Sequence, residues 1–432
     1  MKKFIQLLII LILSSAYGYN LDFFEKFNDE YLENYIKEAL LCNHTLKEAQ
    51  AKSQQFRYEV KSTLSEEFPS LSVAGNYLGI HLPNNDFGNL LQKNSFILPF
   101  FVNWELDLLL KTKDKIKSKK HLYLAQKNNQ DSVYISLLTD ITSCYINILL
   151  FDYLIEKQEK IIDIEANNLV LDEKKLKWGA INFTDFNSRK EDLTTKEIAL
   201  ETLLKKRKEL LYNFSQLIGR SAYSKEKIKR GSIQTFEYIE KIPEEINVDV
   251  IYKRPDIAEI ENKLKASKLD VTVAKKDFFP TFKITGLLGF DTTSGGNFFS
   301  WNSSFAYLLL GATQDIFKGG QKLANLKIKK SKYTELLENY KQADLKAISE
   351  IANALNIIKQ DTKNEQLSKK QLQTKRKDFN IEKIRYKYGT KSKTDYLEDK
   401  SSLLEQEQIT MTTKAIRLVD YLTLYKAVGG QL

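Results

Sequence analysis

Breakers are scarce in this sequence. Its 432 residues hold only 6 prolines and 17 glycines, so long stretches contain nothing that interrupts a helix. Cysteine is nearly absent: Cys42 and Cys144 are too few for a disulfide framework. The three histidines, His44, His81 and His121, have no spacing that suits a metal site. Gly295-Gly296 is not followed by Lys-Ser or Lys-Thr and so is no phosphate loop. No Ser/His/Asp arrangement or paired-acid constellation stands out. These absences predict no enzyme chemistry, no catalytic residue, no metal and no cofactor. Beyond the N-terminus, no stretch is expected to reach the roughly 20 apolar residues of a membrane-spanning helix.

What is present begins with a leader. Met1-Lys2-Lys3, an apolar run from Phe4 to Leu13 and the small residues Ser14-Ser15-Ala16 before Tyr17-Gly18 read as the three parts of a signal peptide over 1–18. An exported chain without a spanning helix is either soluble or supplies strands to an outer-membrane barrel. The net charge of +10 falls to +8 once Lys2 and Lys3 are removed. Charges of both signs alternate along the chain, which points to solvated helix faces rather than to nucleic acid.

The chain is written twice. Lys177, Gly179, Thr184 and Asp185 recur as Lys387, Gly389, Thr394 and Asp395, each 210 positions later, and Gly219 recurs as Gly429. Phe68-Pro69 and Gly75 recur as Phe279-Pro280 and Gly286 at an offset of 211. One inserted residue thus separates two domain-sized copies, too long for a solenoid repeat. The division expected is a leader over 1–18, a first repeat over 19–220, an inter-repeat segment over 221–250 and a second repeat over 251–432.

Both copies share one grammar. A polar helix from Thr45 to Glu67 is stopped by Phe68-Pro69, because the residue before proline is pushed out of the helical region. Alternating segments around Leu71–Tyr77 and Phe100–Leu108, with a turn cluster at 83–88 between them, predict a β-hairpin over about 70–108. From Lys111 to Lys177 there is no Gly or Pro, which predicts one very long helix. A turn at Gly179 leads into a helix from about Asp185 to Leu217. Copy two repeats this with a helix from Asp256 to Phe278, a hairpin over about 281–317 with a less clean second strand, a long helix to Tyr388 and a last helix ending near Val428.

Four strands cannot close a membrane barrel, whose minimum is about eight. Three chains supply twelve, and closed rotational symmetry is the usual solution. The long helices, at roughly 70 residues and 1.5 Å each, reach about 105 Å, and the two shorter helices of copy one sum to about 90 Å. Stacked end to end, the short helices nearly match a long one, giving twelve rods beneath twelve strands.

Arg254-Pro255-Asp256-Ile257, Phe278-Phe279-Pro280, Ile316-Phe317-Lys318-Gly319-Gly320-Gln321 and Arg385-Tyr386-Lys387-Tyr388-Gly389 resemble the signature stretches of the TolC-like outer membrane efflux family, in order, over nearly the whole mature chain. The ending Tyr425-Lys426-Ala427-Val428-Gly429-Gly430 resembles the branch serving resistance-nodulation-division (RND) multidrug pumps. The resemblance implies a TolC-like homotrimer in the cell outer membrane that extends into the periplasm. A twelve-stranded β-barrel, four strands per chain, would stand on a twelve-helix α-barrel with two repeats per chain. It implies a passive exit duct for drugs and other small molecules, partnered by a periplasmic adaptor, an inner-membrane RND-type transporter and outer-membrane lipid. The same duct serving type I protein or peptide secretion is the alternative, and a soluble periplasmic coiled-coil scaffold a more distant one. Two departures stand out. The lipid-bearing cysteine common in that branch does not follow the cleavage site, and Leu109-Leu110-Lys111 replaces a Phe-Gly-basic junction, which predicts a smoother strand-to-helix passage in copy one.

The resemblance also carries site expectations. Asp395 and Glu398, one helical turn apart, would narrow the periplasmic entrance and, under threefold symmetry, form carboxylate rings that favour cations; simple stabilisation of a helix start by Asp395 stays open beside this. Asp185, with Ser188 where the second acid would stand, reads as a helix cap. Gly179 and Gly389 are expected at positive φ in tip turns. There Trp178, Tyr388, Lys391 and Lys393 are adaptor-docking candidates, or simply solvated. Phe100, Trp104, Phe290 and Trp301 are membrane-band candidates, with core packing as the alternative. Cys42 and Cys144 fall at about 38 and 52 Å along different rods, so free thiols are expected.

Overall fold

The computed structural model describes residues 21–79, 94–224, 227–238, 248–292 and 298–431. The expected leader, His81, the turn cluster at 83–88 and Gly295-Gly296 lie outside the described residues. In chain order the elements are α1 (Asp22–Glu25), α2 (Glu30–Cys42), α3 (His44–Leu64), β1 (Ser70–Val73), β2 (Asn76–Gly79), β3 (Asn94–Leu106), α4 (Lys111–Lys177) and α5 (Phe183–Leu217). They continue with α6 (Pro255–Lys276), β4 (Thr281–Thr292), β5 (Ser304–Thr313), α7 (Gln321–Lys387) and α8 (Lys393–Ala427). Helices α4 and α7 are 67 residues each, and α5 and α8 are 35 each. Each later helix starts 210 residues after its earlier counterpart, from Lys111 to Gln321 and from Phe183 to Lys393.

The chain divides into two compact units. One comprises 50–129 and 257–343 and holds the sheet; the other comprises 1–49, 130–256 and 344–432 and is helical.

In the first unit the strands run β1-β3-β4-β5, with β2 also on β3, all antiparallel. The expected first strand is split. Ala74 N–H still donates to Pro99 O at 3.1 Å, but Pro99 has no N–H to return, so β1 and β2 flank a gap while keeping one register on β3. The two hairpins share one register: Ser70 faces Asn103 in the first and Thr281 faces Thr313 in the second, the first legs 211 apart and the second legs 210. In β5, Leu308, Leu309 and Leu310 stand in a row and are all exposed, which accounts for the less clean alternation.

The expectation of a smooth passage from β3 into α4 is overturned. Leu110 takes φ +56, like Gly320 at φ +79 before α7. Left-handed backbone costs a branched L-residue roughly 1–2 kcal/mol. Compensation is local: the Asp107 carboxylate accepts from Thr112 and Lys113 N–H at 3.0 and 2.9 Å, capping the orphan donors of α4. Lys276 Nζ donates to Leu110 O at 3.0 Å.

The helical unit is held by an aromatic core. Phe23, Phe24 and Phe27 of the N-terminal segment are almost fully buried; Phe23 stacks on Tyr425 with centroids 4.3 Å apart, and Phe27 stacks on Phe236. Asp29 caps α2 by accepting from Leu32 N–H and also accepts from the Tyr145 hydroxyl at 3.1 Å. That hydroxyl in turn accepts from Gly231 N–H. The central part of α4 is apolar and long enough to cross a bilayer by composition, and most of that window is buried inside the protein. Leu138, Ile141, Tyr145, Ile146 and Leu149 form its buried face. So the expectation that no further stretch reaches membrane-helix length fails, because α4 is the core helix of this unit.

Helix ends in this unit close on each other. Arg254, 6% exposed, donates to Ala427 O at the end of α8 and to the Asp256 and Glu350 carboxylates. Asn43 Nδ2 donates to Leu217 O at 2.8 Å, while its Oδ1 accepts from Leu46 N–H, joining the α2–α3 junction to the end of α5. There Gly219 has φ +78, and a Cβ on it would sit 2.7 Å from Cys42 O. Both cysteines are free. Cys144 donates to Leu210 O, and burial pushes its thiol up to about 12.

Candidate functional site at the helix tips

Two turns, α4 to α5 and α7 to α8, share one geometry. Gly179 and Gly389 take φ +68 and +75, as expected. Ala180 N–H donates to Lys175 O at 2.8 Å, and Thr390 N–H to Arg385 O at 2.9 Å, closing the last turn of each long helix. Trp178 and Tyr388 stand 85% and 77% exposed beside these glycines, and Lys393 is exposed as well.

The following helices are capped by residues the sequence reading passed over. Asn182 Oδ1 accepts from Asp185 N–H at 2.8 Å, and Ser392 Oγ accepts from Asp395 N–H at 3.0 Å. Asp185 is therefore not the cap: the N-cap is Asn182, three residues earlier, because only that position has the extended backbone a cap requires. Asp185 sits in the first turn, where a carboxylate still favours the helix dipole. The spacing of Asn or Ser three residues before Asp was the signal available.

Asp395 and Glu398 are exposed on successive turns of α8, but they differ. Asp395 has no ion pair among the described residues. Glu398 accepts from Arg189 of α5. Arg189, a quarter exposed, also reaches Asp172 of α4 at 3.2 Å and Glu165 at 3.7 Å, both of them nearly buried. Burial opposes its charge, but the bond to Glu398 and the fields of the three acids outweigh burial and raise its pKa. Lys175 Nζ bridges Asp172 and Thr394 Oγ1, both at 2.8 Å. Thus one cluster ties α8 to α4 and α5.

The same contact continues along the helices. Leu397 and Leu404 of α8 pack on Ile161 and Ile164 of α4. Lys196 meets Glu405, and Glu407 sits between Lys157 and Arg376, each at 2.8 Å. Burial pushes Glu407 up, but the two cations outweigh it and hold it below the usual carboxylate range. On the other side Tyr396 stacks on Tyr386 at 4.6 Å. Lys391 is not a free tip cation: it binds Glu382 at 2.8 Å and Asp399.

In the sheet unit the four aromatic candidates lie at different levels. Trp104 Nε1 donates to Glu67 O at 3.0 Å, near the end of β3. Phe100 is half-buried in mid-strand. Phe290 faces Leu98 and meets Phe299 edge-on, while Trp301, just before β5, is 90% exposed. From Trp104 to the level of Leu98 is six residues, about 20 Å. No group of three or more potential metal ligands occurs among the described residues.

Two helix hairpins with matching tips, and two β-hairpins in matching register, make a duplicated chain. The sequence matches the outer membrane efflux protein family over residues 35–220 and 248–430. The chain belongs to that family. Cation efflux system protein CusC of Escherichia coli K12 is 25% identical over 414 residues, covering 94% of this chain and 87% of that protein. Toluene efflux pump outer membrane protein TtgC of Pseudomonas putida is 20% identical over 407 residues, covering 94% and 84%. The Campylobacter jejuni CmeC outer membrane channel superposes with a TM-score of 0.82 at 22% identity, covering 95% of this chain and 88% of that one. The fold is therefore TolC-like, and this family member is an outer-membrane efflux channel component.

Proposed function

We propose that three copies of this chain close into a duct of twelve strands and twelve helix rods, with no catalytic step of its own. Each copy comprises two repeats, 19–220 and 251–432, joined by 221–250. The observation that carries this reading is the sheet: among the described residues, four antiparallel legs end in open strands on both sides, too few for a barrel and shaped to be shared. Cargo would be small molecules handed over by an inner-membrane RND-type transporter through a periplasmic adaptor. The names of CusC and TtgC cover cations and an aromatic solvent, a spread that suits a duct selecting weakly and leaving choice to the pump.

The tips form the entrance in this reading. Asp395 supplies the unpaired carboxylate of a threefold ring. Glu398, neutralised by Arg189, acts more as a latch holding α8 to its neighbours. Trp178, Gly179, Tyr388, Gly389 and Lys393 form the adaptor face, and Lys391 serves mainly to brace α8. Trp104 marks one membrane interface, and Phe290 with Trp301 the other, with Phe100 between them. The test is planar-bilayer recording of the Asp395→Ala/Glu398→Ala variant. Conductance should rise several-fold and cation preference should weaken; currents equal to wild type would remove both residues from the entrance.

A further inference from the structure

Both long helices begin against a local rule. The positive end of a helix dipole lies at its N-terminus, where cations are unfavourable. Yet the stretch Lys111–Lys120 holds six lysines and one acid, Asp114, and Lys318–Lys332 holds six lysines and no acid. A rule broken at matching places in two repeats points to a function.

The pattern belongs to the internal repeat. Lys117, Lys119 and Lys120 recur as Lys327, Lys329 and Lys330, each 210 positions later. In each triplet one lysine turns to the preceding helix. Lys119 Nζ donates to Glu59 of α3 at 2.8 Å, and Lys329 reaches Asp270 of α6, 211 positions after Glu59, at 3.5 Å. The other two lysines of each triplet, Lys117 and Lys120, and Lys327 and Lys330, are exposed. Among the described residues Lys120, Lys327 and Lys330 meet no carboxylate, and Lys117 has only Asp114 of its own helix at 3.8 Å.

On α4 the exposed pair is part of a longer stripe. Lys113, Lys117, Lys120 and Lys127 recur at helical spacing on one face, and all four are exposed. The other side of α4 is packed on two neighbours. Lys119 and Lys115 pair with Glu59 of α3 and Glu66 just beyond it, while Ser118 Oγ donates to Ala266 O and Asp270 of α6. In a closed ring of rods, both neighbours of a rod lie towards its inner side. Resting on the trimer reading above, the stripe therefore faces out of the duct, and the repeat places Lys327 and Lys330 of α7 likewise. Between the strand ends and the helix starts, Leu108, Leu109 and Leu110 at one junction and Ile316 and Phe317 at the other are 38–96% exposed. Apolar surface followed by cations is the order in which a bilayer presents hydrocarbon and then headgroup phosphate. Lys117 and Lys120 lie about 9 and 14 Å along α4 from its start, and their flexible stems carry the ammonium groups back towards the headgroups. We propose that these lysines of α4 and α7 form a belt around the outside of the duct that holds phospholipid of net negative charge in the periplasmic leaflet of the outer membrane.

The test uses a tryptophan already at this level. Trp104, near the end of β3, donates to Glu67 O at 3.0 Å, and with Trp178→Phe and Trp301→Phe it is the one reporter left of the three tryptophans. The full mature chain is reconstituted in vesicles of phosphatidylethanolamine and phosphatidylglycerol, with bromine on one lipid and then on the other, and quenching of Trp104 gives the relative affinity for each. At low salt the anionic lipid should be favoured roughly threefold or more, and the preference should fall away in high salt as screening tightens. Lys117→Gln/Lys120→Gln/Lys327→Gln/Lys330→Gln should abolish it. Lys205→Gln/Lys206→Gln/Lys377→Gln/Lys383→Gln removes equal charge from exposed positions nearer the tips and should keep it. If the first variant loses its helical circular dichroism, Lys120→Gln/Lys330→Gln tests the same belt and should weaken the preference in its place. A wild-type chain without preference, a preference indifferent to salt, or a belt variant that retains it overturns the proposal. Sedimentation of wild type, but not of the belt variant, with peptidoglycan sacculi in the absence of any lipid preference overturns it in favour of a cell-wall contact. Light scattering tells this failure from that of the trimer: a three-chain mass without lipid preference overturns the belt alone, and a one-chain mass overturns the trimer.

Discussion

Replacing Gly219 by alanine isolates a close approach from a mere backbone preference. Gly219 ends α5 at φ +78, and alanine in left-handed backbone costs about 1–2 kcal/mol. The added methyl would also sit 2.7 Å from Cys42 O and 2.8 Å from its carbonyl carbon. Those backbone atoms have little room to retreat, because Asn43 ties the same junction to Leu217 O and to Leu46 N–H. Overpacking of this kind adds about 1–3 kcal/mol, for a total of about 2–5 kcal/mol. Gly179 is the control: its φ is +68, but nothing lies within 4 Å of a Cβ there, so only the first cost of about 1–2 kcal/mol applies. Guanidinium unfolding in detergent, followed by helical circular dichroism, should show a midpoint loss for Gly219→Ala about twice that of Gly179→Ala or more. Equal losses would refute the packing argument and reduce Gly219 to an ordinary helix-ending glycine.

Two further outcomes follow from strain and burial. Leu110→Asn should stabilise the strand-to-helix junction by about 1 kcal/mol, since asparagine tolerates positive φ; an unchanged or lower unfolding midpoint would mean that Leu110 contributes packing that outweighs its strain. Asp131 is raised to about 7 by burial, and Asp420 to about 7 by burial and the Asp361 carboxyl. Between the ordinary carboxyl value of about 4 and 7, the folded chain then holds more protons than the unfolded chain. Stability contributed by these groups is therefore full below that window and is lost as pH rises through it. Asp131→Asn/Asp420→Asn should flatten this decline in unfolding midpoints measured from pH 5 to pH 8, and a wild-type midpoint that rises over that range would contradict the assignment.

Much of this architecture is legible in the sequence because it rests on local rules. The absence of Gly and Pro from Phe100 to Trp178 leaves room for one long helix, which α4 fills from Lys111 to Lys177, and Phe68-Pro69 marks where α3 must stop. Other features depend on partners distant in sequence. Pro99 splits the first strand although it lies on β3, and nothing near Ala74 announces the missing donor. Arg189 organises the tip through Asp172, 17 residues away, and Glu398, 209 away, so no spacing within one helix reveals it. Leu110 has no local signal for positive φ; Asp107 and Lys276 provide the compensation. The apolar centre of α4 was hard to weigh because helical periodicity fades where neighbours cover most of a helix. The caps Asn182 and Ser392 were within reach of local rules and were passed over in favour of the more conspicuous acids.

The repeat offset changes from 211 to 210 between the first and second legs of the hairpins, so the length difference between copies lies in the connections 80–93 and 293–303. A residue gained inside a leg would turn every later side chain to the opposite wall of the sheet. The one-residue difference therefore falls outside the paired legs, where it leaves the register of both hairpins intact. For protein engineering, the legs themselves tolerate substitution but not a change of count.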